Sequence, residues 1–207
     1  MTLGRLHVLT DFLFQQRYSH AQLAEFAIRG GADVIQFRQK DGDARHRLYE
    51  LEGVAQAASE RGVCVIVNDD PSLALSVGAD GVHLGQTDLP IPMARRILGD
   101  DCIIGATVTS ADQARKAQYE GANYVGFGPV FATASKRSPA KVKGLAGLEE
   151  TCKAVSIPVI AIAGLTPERV SSVMEAGAYG IAVMTAISTR PNPEAATRRF
   201  AEALGIG

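Results

Sequence analysis

Gly78-Ala-Asp80 runs straight into Gly81-Val-His-Leu84, joining the end of a helical run to a β-type run, and the junction returns as Gly31-Ala-Asp33, Gly121-Ala-Asn123 and Gly177-Ala-Tyr179. In each copy glycine suits a left-handed turn, alanine is small enough to tuck beneath the helix, and a strand begins. Working outward, β-type runs are expected at 6–9, 33–37, 63–67, 81–84, 103–107, from 124, at 159–163 and at 180–183. Helical runs are expected between them at about 20–29, 44–61, 71–77, 92–98, from a Ser110 cap to 120, at 145–153, from a Thr166-Pro167 cap to 176, and at 193–204. Val63-Cys-Val-Ile-Val67 is the clearest strand, continuous and rich in β-branched residues, as a strand covered on both faces should be. The glycine junctions precede every second strand, a period of two βα units. Eight such units in one domain, residues 1–207, predict a (β/α)8 TIM barrel. An open doubly wound sheet is the alternative, and the lack of Gly-x-Gly-x-x-Gly after the first strand counts against it.

The composition bounds the function. At 207 residues and 46% hydrophobic, the chain is long enough for one well-buried core. Lys+Arg 21 against Asp+Glu 22 gives a net charge of −1, so no global field draws nucleic acid or an anionic membrane, and any anion site is local. Cys64, Cys102 and Cys152 have none of the spacings of a zinc site or a disulfide framework, and read as apolar residues of a reducing compartment. Arg5, His7 and Asp11 interrupt the first apolar residues, unlike a signal peptide or a spanning helix. A soluble cytoplasmic protein is expected.

A barrel gathers the C-terminal ends of its strands on one face, and here those ends are polar. The second strand ends in Gln36, Phe37, Arg38, Gln39 and Lys40, the third in Asn68 and Asp69, the fourth in Gln86 and Asp88, and the fifth in Thr107. The sixth, Tyr124-Val-Gly-Phe-Gly-Pro-Val-Phe, leads to Thr133, Ala134, Ser135 and Lys136, whose hydroxyls and mobile ammonium suit phosphate oxygens. The seventh and eighth end in Gly164 and in Met184-Thr185, where barrels often bind a phosphate through a close backbone and a helix start. Asp69 and Asp88, on adjacent strand ends, suit a hard cation that keeps waters and bridges to phosphate, as Mg²⁺ does. Arg38, Lys40 and Lys136 carry more charge than a monophosphate needs and match a diphosphate with Mg²⁺. Blander readings exist for several of these: Asp69 as the cap of the helix near Pro71, Arg38 and Lys40 as partners of Asp41 and Asp43, and His83 as a satisfied wall residue.

Taken together, the ordered segments Gln36-Phe-Arg-Gln-Lys40, Asn68-Asp-Asp70, His83-Leu-Gly-Gln-Thr-Asp88, Gly105-Ala-Thr107, Gly128-Pro-Val-Phe-Ala-Thr-Ala-Ser-Lys136, Ala161-Ile-Ala-Gly164 and Val183-Met-Thr-Ala-Ile-Ser188 resemble the thiamine-phosphate synthase family. The resemblance implies a (β/α)8 enzyme that joins a pyrimidinylmethyl diphosphate to a thiazole phosphate, releasing diphosphate through a pyrimidine methyl cation. It implies that Gln36, Arg38, Lys40 and Lys136 hold the diphosphate, with Phe37 and Gln39 in the same segment, and that Asp69 and Asp88 ligate Mg²⁺. Asn68 and Thr107 would contact the pyrimidine, Thr133, Ala134 and Ser135 the thiazole, and Gly164, Met184 and Thr185 its phosphate. Arg38, Lys40, Thr107 and Lys136 are the residues expected to carry the chemistry. The chain departs from the family pattern at Gln39, where an acid is usual, at Thr107, where serine is usual, and at Ser135, where threonine is usual.

Two other readings remain open. The related thiazole tautomerase looks for a histidine just after the fifth strand, where this chain has Thr109. A non-catalytic phospholigand sensor on a retained barrel would not need the full charged set. Barrels of this size often form homo-oligomers, and no patch in the sequence specifies how.

Overall fold

The structure, a computed structural model, describes residues 3–133 and 141–206. Strands β1 (Leu6–Thr10), β2 (Val34–Phe37), β3 (Cys64–Asn68), β4 (Gly81–Leu84), β5 (Ile103–Val108), β6 (Tyr124–Phe127), β7 (Val159–Ile162) and β8 (Gly180–Val183) pair in parallel, and β8 pairs back to β1 to close a barrel. Around it lie α1 (His20–Arg29), α2 (Ala44–Ser59), α3 (Pro71–Ser76), α4 (Ile91–Leu98), α5 (Ala111–Tyr119), α6 (Gly144–Ala154), α7 (Val170–Glu175), α8 (Thr185–Ser188) and α9 (Pro193–Leu204). The expected (β/α)8 barrel is the observed one.

The four glycine junctions explain much of the closure. Gly31, Gly78, Gly121 and Gly177 all have positive φ, from 63° to 96°. The alanines after them are buried in the layer between strands and helices. Their third residues do something the sequence reading did not foresee. Asp33 accepts from Leu6 N at 3.1 Å, Asp80 from Val65 N at 2.7 Å, and Asn123 from Ile104 N at 2.8 Å. Three of the four even-strand entries thus tie down a backbone N–H in the odd strand beside them, where the sheet ladder is only starting, whereas the Tyr179 hydroxyl donates to Leu3 O at 2.6 Å.

Two apolar layers follow from the alternation of side chains along each strand. Leu6, Val8, Ile35, Phe37, Val65, Val67, Ile104 and Ile181 face the helices. Leu9, Val34, Cys64, Ile66, Ile103, Tyr124, Ile160 and Ala182 fill the barrel. By the same parity Asp11, Gln36, Arg38, Asn68, His83 and Thr107 lie on the interior side toward the C-terminal mouth.

Three elements differ from expectation. The seventh helix is split into a 3-10 turn at Pro167–Arg169 and α7, and Thr166 makes no capping hydrogen bond. The fourth helix starts at Ile91, one residue before Pro92, because proline fits the second position of the first turn as well as the first. A four-residue helix, α8, follows β8 directly.

Candidate active site

The mouth begins with a pair that the strand-end inventory passed over. Arg38 is ion-paired with Asp11, which lies just past the end of β1, is only 3% exposed and also accepts from Leu13 N at 2.7 Å. Continuing the parity of His7 and Leu9 by one step would have found Asp11 in the sequence. Burial pulls Arg38 below its usual pKa, while the nearby Asp69 and Asp41 carboxylates oppose the shift and keep the cation favoured. Lys40 reaches across to Asp69, Nζ to Oδ2 2.7 Å. Of the cations expected to meet diphosphate, Arg38 and Lys40 therefore each rest on a carboxylate. Neither pairs with Asp43, whose carboxylate instead caps α2 by accepting from His46 N.

Gln36 is buried inside the barrel, whereas Phe37 points the other way, into the helix layer, where its ring lies 4.6 Å from that of His20. Any part Phe37 plays in the site is exerted from behind the wall. The Gln39 amide oxygen is buried without a well-formed hydrogen bond, close to His20, whose Nε2 is in the same condition.

On β3 the neighbouring acids divide their roles. Asp70 caps α3, accepting from Leu73 N at 3.0 Å, and takes Arg47 as its ion partner. Asp69 is not the cap. It stands at φ 69°, a left-handed conformation uncommon outside glycine, asparagine and aspartate, with its N–H bonded to His83 O at 2.8 Å. That turn brings its carboxylate to Asp88. Desolvation first, and then the Asp69 carboxylate, push Asp88 above the usual aspartate range, although Gly85 N donates to its Oδ2 at 2.6 Å. Among the described residues no group of three or more histidine, cysteine or acidic side chains is placed to hold a metal. Two adjoining carboxylates, one of them reluctant to ionise, fit a hard dication that keeps waters and gains its other oxygens from a phosphate.

Asn68 closes β3 beside His83 of β4. Thr107, inside β5, bonds through Oγ1 to His83 Nε2 at 2.9 Å, and its carbonyl accepts from Gln86 Nε2 at 2.6 Å. His83 Nδ1 in turn meets the Tyr124 hydroxyl at 2.9 Å, so the histidine is the satisfied wall residue that the sequence suggests. Thr109 is bonded to Gln113 through both its N–H and its hydroxyl.

Thr133 is half-buried at the edge of the described segment, and Ala134, Ser135 and Lys136 lie outside the described residues. Gly164 has φ 67°, and a Cβ there would sit 2.5 Å from Ala132 O and 2.6 Å from Phe131 Cβ. Only glycine lets the β6 loop lie this close to the end of β7. Arg169, which the sequence reading did not single out, clamps the turn: it donates to Gly164 O at 2.5 Å and stacks 4.5 Å over the Phe131 ring. Met184 precedes α8, and its carbonyl accepts from Ile187 and Ser188, so Thr185 is the first residue of a helix that starts at the mouth.

Comparison with known proteins identifies the family. The family model described as thiamine monophosphate synthase matches residues 7–187. The thiamine-phosphate synthase of Salinibacter ruber is 53% identical over 203 residues, 98% of this chain and 89% of that protein. That of Natronomonas pharaonis is 43% identical, covering 90% of this chain and 88% of its own. The solved thiamine phosphate pyrophosphorylase from Pyrococcus furiosus superposes with a TM-score of 0.88 at 35% identity, covering 97% of this chain and 95% of that one. With relatives this similar over nearly its whole length, and with polar strand ends gathered at one mouth, the chain belongs to the thiamine monophosphate synthase family.

Proposed function

We propose that this barrel joins 4-amino-2-methyl-5-pyrimidinylmethyl diphosphate to a thiazole phosphate, giving thiamine phosphate and diphosphate, and that it does so with Mg²⁺ in the cytoplasm. The observation that carries the Mg²⁺ assignment is the convergence of Asp69 and Asp88, with the Asp88 carboxyl pushed up and a lysine at 2.7 Å from Asp69. Asp69 and Asp88 would hold the ion, which when bound would supply positive charge against the departing diphosphate. Arg38 and Lys40 would exchange Asp11 and Asp69 for diphosphate oxygens, joined by Gln36 and Lys136. Set at the end of β2 beside Asp11 and Asp69, these cations would be in place before charge develops on the leaving group.

A dissociative substitution asks the protein to stabilise a leaving group and to orient a cation, and needs no strong base near the reacting carbon. Asn68 and Thr107 would orient the pyrimidine. Thr133, Ala134 and Ser135 would flank the thiazole, and the left-handed turn at Gly164 with Met184 and Thr185 would receive its phosphate. The tautomerase reading has less support, since Thr109 spends its donors on Gln113.

Incubating the purified protein with both substrates, with Mg²⁺ and then with excess EDTA, tests the proposal. Thiamine phosphate should form only with Mg²⁺. Isomerisation of the thiazole phosphate alone would replace the synthase reading with the tautomerase one, and binding without turnover would favour a sensor.

A further inference from the structure

Beneath Thr107 the barrel holds two rings that the proposed chemistry has not used. Tyr124 is buried at 1% exposure, and its hydroxyl bonds to His83 Nδ1 at 2.9 Å. His83 Nε2 bonds to Thr107 Oγ1 at 2.9 Å. Space for both rings is made by glycines. A Cβ on Gly105 would fall 2.1 Å from Tyr124 Cζ, and one on Gly126 would fall 3.0 Å from His83 Cε1. Both glycines stand next to the relay in the sheet, Gly105 opposite Tyr124 and Gly126 opposite Thr107. The barrel interior is thus shaped around a file of polar groups leading from its middle to its mouth.

We infer that Tyr124 and His83 are positioning residues that fix the direction of the Thr107 hydroxyl, so that Thr107 presents a proton to an acceptor nitrogen of the pyrimidine substrate. The inference rests on the synthase reading given above. Proton bookkeeping in the file gives the direction. The Tyr124 hydroxyl is closed off from water, and among the described residues its hydrogen-bond partner is His83 Nδ1. Burial raises the phenol's pKa, so it stays protonated, and a buried O–H must donate. Donation into Nδ1 makes that nitrogen the acceptor and places the ring proton on Nε2. Nε2–H then donates to Thr107 Oγ1. With its oxygen already accepting from beneath, the Thr107 hydroxyl directs its own proton toward the mouth. Phenylalanine at 124 would keep the packing and remove the constraint, letting His83 take either tautomer and Thr107 point either way.

The test is a double-mutant cycle on the full-length protein with Mg²⁺ and both substrates. Tyr124→Phe should lower kcat/KM for the pyrimidine diphosphate about tenfold while KM for the thiazole phosphate stays within about twofold. In a Thr107→Ala background the same change should cost less than about threefold, because the hydroxyl it acts through is gone. Additive losses would mean that Tyr124 only shapes the barrel, and would overturn the relay. Nitrogen NMR of His83 in the unaltered protein gives an independent reading that needs no variant to fold: a proton on Nε2 is expected, and one on Nδ1 refutes the inference. Should the unaltered protein form no thiamine phosphate, the synthase reading fails by itself. If the protein is active and the cycle is additive, only the relay fails.

Discussion

Asp69→Asn separates a carboxylate kept for a metal from one kept for the fold. Its structural value can be bounded from what it touches. The Lys40–Asp69 pair is 2.7 Å long, but the side chains are 52% and 28% exposed. A pair so wet contributes about 0–1 kcal/mol. Asparagine tolerates φ 69° nearly as well as aspartate, so the backbone loses little. Removing one of two adjoining carboxylates also relieves Asp88, which returns a few tenths of a kcal/mol on the scale of surface charge effects. The net change in stability should stay within about 1 kcal/mol, a shift of about 2–4 °C in Tm for a chain of this size. Turnover should respond on another scale. Losing a metal ligand that offsets leaving-group charge should remove several kcal/mol of transition-state stabilisation, a fall in kcat of about a hundredfold or more. Thermal unfolding without Mg²⁺, Mg²⁺ titration calorimetry and thiamine phosphate formation measure the three terms. Asp69→Ala adds a check, because a Cβ without a polar group in the left-handed region should cost about 1–2 kcal/mol more than asparagine. A Tm drop well beyond that range in Asp69→Asn, with activity lost only in proportion to unfolded protein, would make Asp69 a structural ion-pair residue and sink the metal assignment.

Two further outcomes bear on the fold. His7 and His20 are held down to about 4 from 6.5, chiefly by burial, so between those values the unfolded chain binds protons that the native one refuses. Stability should be full above pH 6.5 and fall as the pH drops toward 4, by about 2 kcal/mol per histidine at pH 5 on the linkage relation. Urea midpoints that stay flat between pH 7 and pH 5 would contradict the burial of both rings. Gly164→Ala combines a left-handed φ with contacts of 2.5 and 2.6 Å, for a loss of about 2–5 kcal/mol and a raised KM for the thiazole phosphate. Gly62→Ala, at φ 65° with nothing within 4 Å of the new Cβ, isolates the backbone part and should cost about 1–2 kcal/mol. Equal losses at the two positions would show that the β6 loop does not press on Gly164.

What the sequence makes legible, and what it hides, follow from how far apart the interacting atoms lie along the chain. The barrel is legible because each glycine junction is local: a left-handed turn, a small buried residue and a strand start occupy three consecutive positions. Polar strand ends are legible for the same reason, and every strand from the second to the eighth contributes one except the seventh, which ends in Gly164. The partnerships among them are not. Arg38 meets Asp11 across 27 positions, Lys40 meets Asp69 across 29, and Tyr124 meets His83 across 41. Nothing in any of these segments names its partner until the barrel has closed. Parity within a strand supplies part of the missing knowledge, since it turns Phe37 away from the mouth and Asp11 toward it. It cannot supply the rest, because whether Asp69 or Asp70 caps α3 depends on one left-handed residue, and aspartate is common both as a cap and in that conformation. Yet the proposed metal site rests on that residue. At φ 69° the Asp69 carboxylate lies beside Asp88 and Lys40, the grouping on which the proposed Mg²⁺ site rests. The left-handed Asp69 is therefore the local mark of the candidate site, since backbone strain tends to concentrate at functional residues.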